Sequence, residues 1–374
     1  MKIVNVVFNN FLNDSRVLKT SNSLLQLGNE VLVVAVHADK LKEYELVSGV
    51  PVHRIKLVTK VWFKLRLIQI FNLFEFVIRF VFQYRNADIV HCNDLAGLLV
   101  GVFAKVTKPK LILVYDSHEF AINQVPYQSK ISIWLYKVLE SILIKYSQKV
   151  INVSNSIASE YSRLYSISKP HLVLNCPPYS EPPKQNLFRK NLGINEDQTV
   201  FLYQGRLSKD RNIEMLVEAF SEQKSDKNVL VCMGYGPLES FIKKKAQQQN
   251  NVFFHSAVNP DVLLKFTTSA DYGILFYEDS CLNHRYCLPN KLFEYLMAGL
   301  PVLTSNLSEI KRLVETERVG IVAKENTVEG FRKAVQTSLQ QNYTAIQQNV
   351  FASRKKYCWE QQEKVLKKIY DDIS

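Results

Sequence analysis

The most restrictive feature of this chain is a rhythm of short Val- and Ile-rich runs separated by helical patterns, which runs once, stops, and starts again. In the first half the runs are Ile3 to Phe8, Val31 to Val36, Asp88 to Cys92, Leu111 to Tyr115 and Val150 to Val153. Nearly unbroken apolar runs spaced by helix-length segments predict strands of a parallel sheet buried on both faces. The second series comprises Val200 to Tyr203, Val229 to Met233, Val252 to His255, Tyr272 to Phe276, Val302 to Ser305 and Gly320 to Val322. Between the two lies Asn175-Cys-Pro-Pro-Tyr-Ser-Glu-Pro-Pro183, whose prolines forbid a helix or a central strand. The expected architecture is therefore α/β, with two Rossmann-like, doubly wound parallel-sheet domains at 1–175 and 185–355. A proline-rich linker at 176–184 joins them, and 356–374 forms a last helix. The length of 374 residues suits two such domains. Open parallel sheets bind ligands at the carboxyl ends of their strands, so two facing domains would each hold a substrate across one cleft. Such an arrangement suits group transfer.

Charge is unevenly spread. The net charge is +12, and residues 1–175 carry 21 basic and 12 acidic groups, hence +9. A field of this kind fits nucleic acid, anionic lipid or a phosphorylated substrate. Despite a pI of 9.2, no recognised nucleic-acid-binding module is present, so nucleic acid is not the expected partner. Two basic amphipathic segments, Lys60 to Arg85 and Lys130 to Gln148, fall in this half. A helical wheel of the first puts Lys60, Lys64, Gln69, Asn72, Glu75, Arg79 and Gln83 on one side. Phe63, Leu67, Ile70, Leu73, Phe74, Val77, Phe80 and Val81 fill the other. Charges interrupt the segment too often for a membrane span, so it either packs on the sheet or lies on an anionic membrane. The amino-terminal apolar run is too short for a signal peptide, and the six cysteines form no C-x-x-C pair or disulfide-like framework. A reducing cytoplasm is expected, with contact at the inner face of the cell membrane.

The richest stretch chemically is Pro289-Asn-Lys-Leu-Phe-Glu-Tyr-Leu-Met-Ala-Gly-Leu-Pro-Val-Leu303. Pro289 and Asn290 suit a helix start and Gly299 its left-handed exit. Free amides at Asn290, Lys291 and Leu292, at the positive end of the helix dipole, would bind a diphosphate. Glu294, one turn on, could accept hydrogen bonds from two ribose hydroxyls, and phosphate with ribose means a nucleotide. The alternative is an ordinary capped helix packed on the sheet. A second constellation, Gly205-Arg-Leu-Ser-Lys-Asp-Arg-Asn212, follows the Val200 strand directly. Gly205 permits a tight turn, and Arg206 and Arg211 offer forked donors suited to phosphate oxygens, although a solvated loop with two arginines is an ordinary feature. No His, Asp, Cys or Glu grouping has metal-ligand spacing.

Together these residues resemble the retaining glycosyltransferases of family 4, which have the GT-B fold. The resemblance runs from Val200 to Val322 and includes the Met233-Gly-Tyr-Gly-Pro237 turn with Gly234 and Gly236. More loosely it takes in Asp14-Ser-Arg16, Asp88 to Asp94, Tyr115-Asp-Ser-His-Glu119 and Trp359 to Tyr370. It implies transfer of a sugar from a nucleoside diphosphate sugar of UDP or GDP type to a glycan or lipid-linked acceptor. The anomeric configuration would be kept, with neither metal nor other cofactor, in surface or secreted polysaccharide synthesis. By the same resemblance, Arg206 and Arg211 stabilise the departing diphosphate, helped by the amides of Asn290 to Leu292. Glu294 holds the ribose, His118 faces the donor sugar, and Arg16, Asn93, Asp94 and Glu119 meet the acceptor. The last helix crosses back onto the first domain, anchored by Trp359. Asp116 either orients His118 or caps a turn, and Asp94 alternatively caps its own helix.

Two departures stand out. Eight positions before Glu294 the family commonly has another glutamate, and here that position is Tyr286, so Asn283, His284, Tyr286 or backbone groups would build the sugar pocket. The glycine-rich loop after the first strand is replaced by Asn9 to Arg16. The other readings are a nucleotide-sugar epimerase or hydrolase of the same fold and, from different classes, a basic nucleic-acid-binding protein or a non-catalytic glycan-binding relative.

Overall fold

The structure, a computed structural model, describes residues 1–12, 14–59, 66–222 and 226–373, with 66–69 described by their backbone alone. Lys60, Phe63 and Lys64 lie outside the described residues, as do the side chains of Leu67 and Gln69.

The first of two compact units comprises Met1–Gln124, Gln128–Leu174 and the chain from Gln362 onward. Its elements are β1 (Lys2–Val6), α1 (Ser15–Gln26), β2 (Glu30–Val36), β3 (Tyr44–Val47), β4 (Val50–Ile55), α2 (Arg66–Tyr84), β5 (Ile89–Asn93), α3 (Asp94–Thr107), β6 (Ile112–Ser117), α4 (Lys130–Leu143), β7 (Lys149–Asn152), α5 (Asn155–Tyr165) and β8 (His171–Leu172). The strands lie in the order β3-β4-β2-β1-β5-β6-β7-β8, and all neighbours are parallel except β3 and β4. That hairpin was not expected from the sequence. It turns on Ser48 (φ 48°) and Gly49 (φ 85°), the two-residue left-handed turn that matches strand twist.

The second unit holds Asn175–Gln361 with Val125–Tyr127. Its elements are α6 (Leu187–Leu192), β9 (Thr199–Arg206), α7 (Ile213–Ser221), β10 (Asn228–Tyr235), α8 (Glu239–Gln248), β11 (Val252–Ser256), α9 (Pro260–Thr267), β12 (Tyr272–Leu275), α10 (Leu282–Tyr286), α11 (Asn290–Ala298), β13 (Val302–Thr304), α12 (Ser308–Glu317), β14 (Gly320–Val322), α13 (Val328–Gln340), α14 (Tyr343–Arg354) and α15 (Trp359–Asp371), whose last ten residues belong to the first unit. The sheet is parallel throughout, in the order β11-β10-β9-β12-β13-β14. Both sheets and the crossover helices agree with the expected fold class. β6, β9 and β10 run two or three residues past their expected ends, so Gly205 and Arg206 belong to a strand and not to the loop after it.

Apart from the excursion at Val125–Tyr127, the chain changes unit at Leu174–Asn175 and again at Gln361–Gln362, inside α15 rather than at residue 356. Trp359 was expected to anchor this helix on the first domain. Instead its amide donates to the Pro177 carbonyl (2.8 Å) within the second unit, where the indole is buried. The anchor on the first unit is Tyr370, whose hydroxyl bonds His91 Nδ1 at 2.7 Å, with Gln362 Oε1 accepting from the Leu174 amide at 2.9 Å.

The core of the second unit is apolar and aromatic, with Phe201, Phe220, Tyr272, Phe276 and Phe331 buried together. Burying each such side chain contributes about 1.5–3 kcal/mol. Where β9 meets β10, glycine is a packing requirement, because a Cβ on Gly234 would fall 1.8 Å from the Gly205 carbonyl oxygen. Gly234→Ala should therefore lower stability by about 1–3 kcal/mol or more, as backbone overpacking does. Urea denaturation measures this, and an unchanged midpoint would contradict the packing account.

Candidate functional site

In the second unit the order of strands reverses between β9 and β12, which is where open α/β sheets bind ligands. These two strands pair only at Tyr272–Phe201 and Gly273–Leu202. Beyond that the gap is filled by Tyr295 of α11, whose hydroxyl accepts from the Gln204 amide (3.0 Å) and lies against the carbonyls of Leu202 (3.1 Å) and Ile274 (3.3 Å). A side chain on Gly273 would meet that ring at 2.4 Å. Tyr295 thus wedges the strands apart and fixes the start of α11 at the opening.

Around that start stand the cations. The Arg211 guanidinium lies over the Tyr277 ring (4.2 Å), and Lys291 Nζ lies over Tyr203 (4.0 Å) and near Tyr277 (5.4 Å). Ring faces position a cation without cancelling its charge. Burial, then the neighbouring Arg211 charge, lowers the Lys291 pKa to about 7, with Glu294 acting in the opposite direction. Arg206 is exposed at the end of β9, and Gly205 (φ 115°) brings the backbone there close to Lys291. Gly236 (φ 149°) turns the end of β10 against the Leu207 backbone.

The helix start matches the expectation from the sequence, with extended Pro289 before it and left-handed Gly299 after it. Asn290 and Lys291 present first-turn amides with no helical carbonyl below them. The Leu292 amide was expected to be free as well, but it donates to the Pro289 carbonyl at 2.9 Å because the chain tightens at the cap. Glu294 accepts from Gln204 Nε2 at 2.6 Å, and Gln204 Oε1 in turn accepts from Thr267 (2.8 Å), so the carboxylate is held in place. His284, a candidate for the sugar pocket, is buried. Its Nδ1 donates to the Glu278 carbonyl (2.9 Å) and its Nε2 faces Asp210 (3.5 Å). Burial opposes the charge, yet Asp210 raises the His284 pKa to about 9, and the ring donors then face the Glu278 carbonyl and Asp210 of the Arg211 loop. Asn283 is buried, whereas Tyr286, the last residue of α10, is partly exposed.

In the first unit the expected residues gather around Asp116 at the end of β6. Arg16, expected to contact acceptor, is 3% exposed; its Nε and one terminal nitrogen grip the two Asp116 oxygens (2.9 and 2.7 Å) and the other donates to Val173 O (2.8 Å). Buried, and bonded through each of its three nitrogens within the unit, Arg16 has a structural role here, which corrects its assignment to the acceptor. Asn93 is likewise buried. Its Nδ2 donates to the Val6 carbonyl (3.1 Å) and its Oδ1 accepts from His118 Nε2 (3.1 Å), so it positions His118. Asp94 does not cap α3. Its carboxylate accepts the His118 amide (3.1 Å) and lies 3.6 Å from His118 Nδ1, on a backbone held at φ 57°, a strained conformation for this residue. Glu119 is exposed and accepts from Gln124 (2.6 Å).

Asp116 also faces His91 Nε2 (3.4 Å) and His118 Nε2 (3.7 Å). Burial alone would raise its pKa, but the Arg16 guanidinium and then His118 hold it well below the usual carboxylate range. His91 is kept neutral by burial. Its Nε2 carries the proton toward Asp116, which leaves Nδ1 to accept from the Tyr370 hydroxyl. A separate cavity of about 380 Å³ opens beyond the carboxyl ends of β1, β2 and β4. Its lining includes Phe8, Asn9, Asn10, Val36, Leu57 and Asn72. Sequence reasoning missed this cavity as a site, together with the supporting residues Tyr203, Gln204, Tyr277 and Tyr295. Only the asparagine pair after the first strand hinted at it. Among the described residues no three His, Cys, Asp or Glu side chains group as metal ligands would.

Two parallel-sheet units, a cationic opening at a strand-order switch, and a last helix that returns to the first unit are the architecture of the GT-B fold. Residues 184–356 match the family model for group 1 glycosyl transferases, and residues 15–176 match that for glycosyltransferase family 4. The chain belongs to the family 4 glycosyltransferases. An uncharacterized glycosyltransferase of Methanocaldococcus jannaschii is 25% identical over 80% of this chain and 78% of its own. The Salmonella typhimurium lipopolysaccharide 1,2-N-acetylglucosaminetransferase is 25% identical over 58% of this chain and 60% of its own. Among solved structures, Anabaena HepE in complex with UDP and glucose superimposes with a TM-score of 0.76 at 16% identity, covering 100% of both chains.

Burial works against a charge on His118, but the Asp94 and Asp116 carboxylates outweigh it and raise its pKa to about 9, from 6.5. The charged ring therefore adds stability that is fully present below about pH 6.5 and is lost as pH rises through about 9. Asp94→Asn should bring the His118 midpoint down by about one unit or more, read from the ring-proton NMR titration. An unmoved midpoint would show that Asp94 does not set it.

Proposed function

We propose that the protein transfers a hexose from a nucleoside diphosphate sugar, UDP or GDP type, to a glycan or lipid-linked acceptor with retention of anomeric configuration. It would serve surface or secreted polysaccharide synthesis in the cytoplasm, at the inner face of the membrane. The observation that carries this reading is the pair of ring-supported cations, Arg211 and Lys291, beside the start of α11 at the switch point of the second sheet. In support, HepE is solved with UDP and glucose, and the Salmonella relative is a lipopolysaccharide N-acetylglucosaminetransferase.

In this reading Arg206, Arg211 and Lys291, with the amides of Asn290 and Lys291, take the diphosphate. Gly205, Gly234 and Gly236 keep the backbone clear for it, Leu292 backs the helix start, and Glu294, aimed by Gln204, accepts from the ribose hydroxyls. Tyr286 contributes to the sugar pocket. Bond breaking builds negative charge on the diphosphate as the sugar becomes oxocarbenium-like, and preorganised cations and amides lower that barrier without a metal or other cofactor. His118, through Nδ1, donates to a sugar hydroxyl. The acceptor attacks from the face the diphosphate leaves, so no enzymic nucleophile is assigned. The asparagine-lined cavity of the first unit takes the acceptor, with Asp94 and Glu119 at the same end of the sheet.

A melting screen against UDP, GDP and ADP tests this directly, since a nucleotide at 100 times its Kd stabilises the fold by about 2.7 kcal/mol. Glu294→Ala should weaken the best nucleotide about tenfold or more while leaving the unliganded melting temperature nearly unchanged, and undiminished affinity would remove the ribose role. Lys291 loses its proton near pH 7, so diphosphate binding should take up a proton and weaken as pH rises above 7. Lys291→Arg should flatten that dependence in calorimetric titration. A wild-type affinity that does not change above pH 7 would exclude Lys291 from the diphosphate site.

A further inference from the structure

Helix α4 is built the wrong way round for a helix facing water. Its buried residues are Leu143 and Glu140, and the fully buried Glu140 carboxylate accepts from the hydroxyls of Tyr115 (2.5 Å), Tyr161 (2.6 Å) and Tyr165 (2.5 Å). Its outward stripe is apolar at helical spacing, with Ile131 73% exposed, Trp134 60%, Leu135 53% and Ile142 55%. The three tyrosines lock this orientation, because turning the apolar stripe inward would strip Glu140 of its donors.

Helix α2 repeats the pattern. Phe76, Val77 and Phe80 face the core, whereas Phe71 (61% exposed), Phe74, Ile78 and Phe82 (74%) face outward. The expected wheel put Ile70, Phe74, Val77 and Phe80 on one apolar side, and the structure divides them, with Ile70 and Phe74 exposed and Val77 and Phe80 buried. The polar residue that matters, Glu75, turns back to accept the amides of Val58 (2.9 Å) and Thr59 (2.8 Å). Helix α3 packs against both α2 and α4 and adds exposed Phe103 and Val106, so the stripes belong to one surface of the first unit.

The exposed charge on and beside α2 and α4 is predominantly basic. Glu75 and Glu140 are the only acids in α2 and α4, and both are engaged as above, whereas Lys130, Lys137, Lys145 and Arg85 are exposed. Self-association would set like charges against each other, while exposed aromatics ringed by lysines match the interface of an anionic bilayer. Among the described residues no helix is long and apolar enough to cross a membrane.

We propose that the outward faces of α2 and α4 form a docking surface that lies on an anionic lipid bilayer. This inference stands on surface chemistry and does not depend on the donor assignment. Asn72 of α2 lines the cavity of the first unit and follows the exposed Phe71 directly, which puts the docking surface next to the cavity.

The test is flotation of the full chain with vesicles of phosphatidylcholine alone and of equal parts phosphatidylcholine and phosphatidylglycerol. The wild type should float with the anionic vesicles and not with the neutral ones. The double change Trp134→Ser and Ile142→Ser should weaken anionic binding about tenfold or more, and Lys130→Glu with Lys137→Glu should abolish the lipid preference. All these side chains are exposed, so melting temperature and nucleotide-induced shift should stay at wild-type values, which keeps a failure here separate from a failure of the nucleotide site. Wild-type protein that floats with neither vesicle, or variants that float as well as wild type, would overturn the proposal. A dimer in sedimentation that Trp134→Ser with Ile142→Ser dissociates would also overturn it, assigning the surface to a second copy.

Discussion

A single buried carboxylate ties the first unit together. Asp116 closes the end of β6 and receives Arg16 from α1, His91 from β5 and the approach of His118. Through His91 the same network reaches Tyr370 on the last helix. A buried ion pair of this kind contributes little as a pair, since desolvation cancels much of the attraction, but removing one partner leaves a stranded charge and costs about 3–5 kcal/mol. Its consequence is geometric. The carboxylate fixes where β5, β6 and α15 meet, and so where the loop bearing His118 can lie.

The second unit solves a different problem, that of holding cations together without neutralising them. Carboxylates would fix Arg211 and Lys291 firmly but would consume the charge that an anionic ligand needs. Tyrosine rings hold both instead, and Asp210, a carboxylate 3.4 Å from Arg211, is shared with His284 and Ser208. Burial, and then the neighbouring Arg211 charge, leave the Lys291 proton weakly held. Tyr295, wedged between β9 and β12, gives the arrangement its rigidity, because its hydroxyl occupies backbone positions that would otherwise be unpaired.

Much of this was legible in residue order. Parallel strands announce themselves as apolar runs, and the start and stop of α11 were written in Pro289 and Gly299, because local backbone preferences act over a few residues. The residues that aim those groups were not legible. Gln204 holding Glu294 links positions 90 apart, and Arg16 holding Asp116 links positions 100 apart, and neither carries a local signal. Arg16 also shows how resemblance misleads, since it placed at the acceptor an arginine that the fold buries on Asp116 and Val173.

The amphipathic helices draw the boundary most clearly. Composition and spacing were enough to establish two doubly wound sheets, the proline-rich break between them, and a first half rich in lysine and long apolar helices, because these depend only on the order of neighbours along the chain. Which side of α4 faces inward was settled elsewhere, by Tyr115, Tyr161 and Tyr165, which come from a strand and another helix to surround Glu140. A helical wheel divides a helix into faces but cannot tell which one the rest of the fold will satisfy.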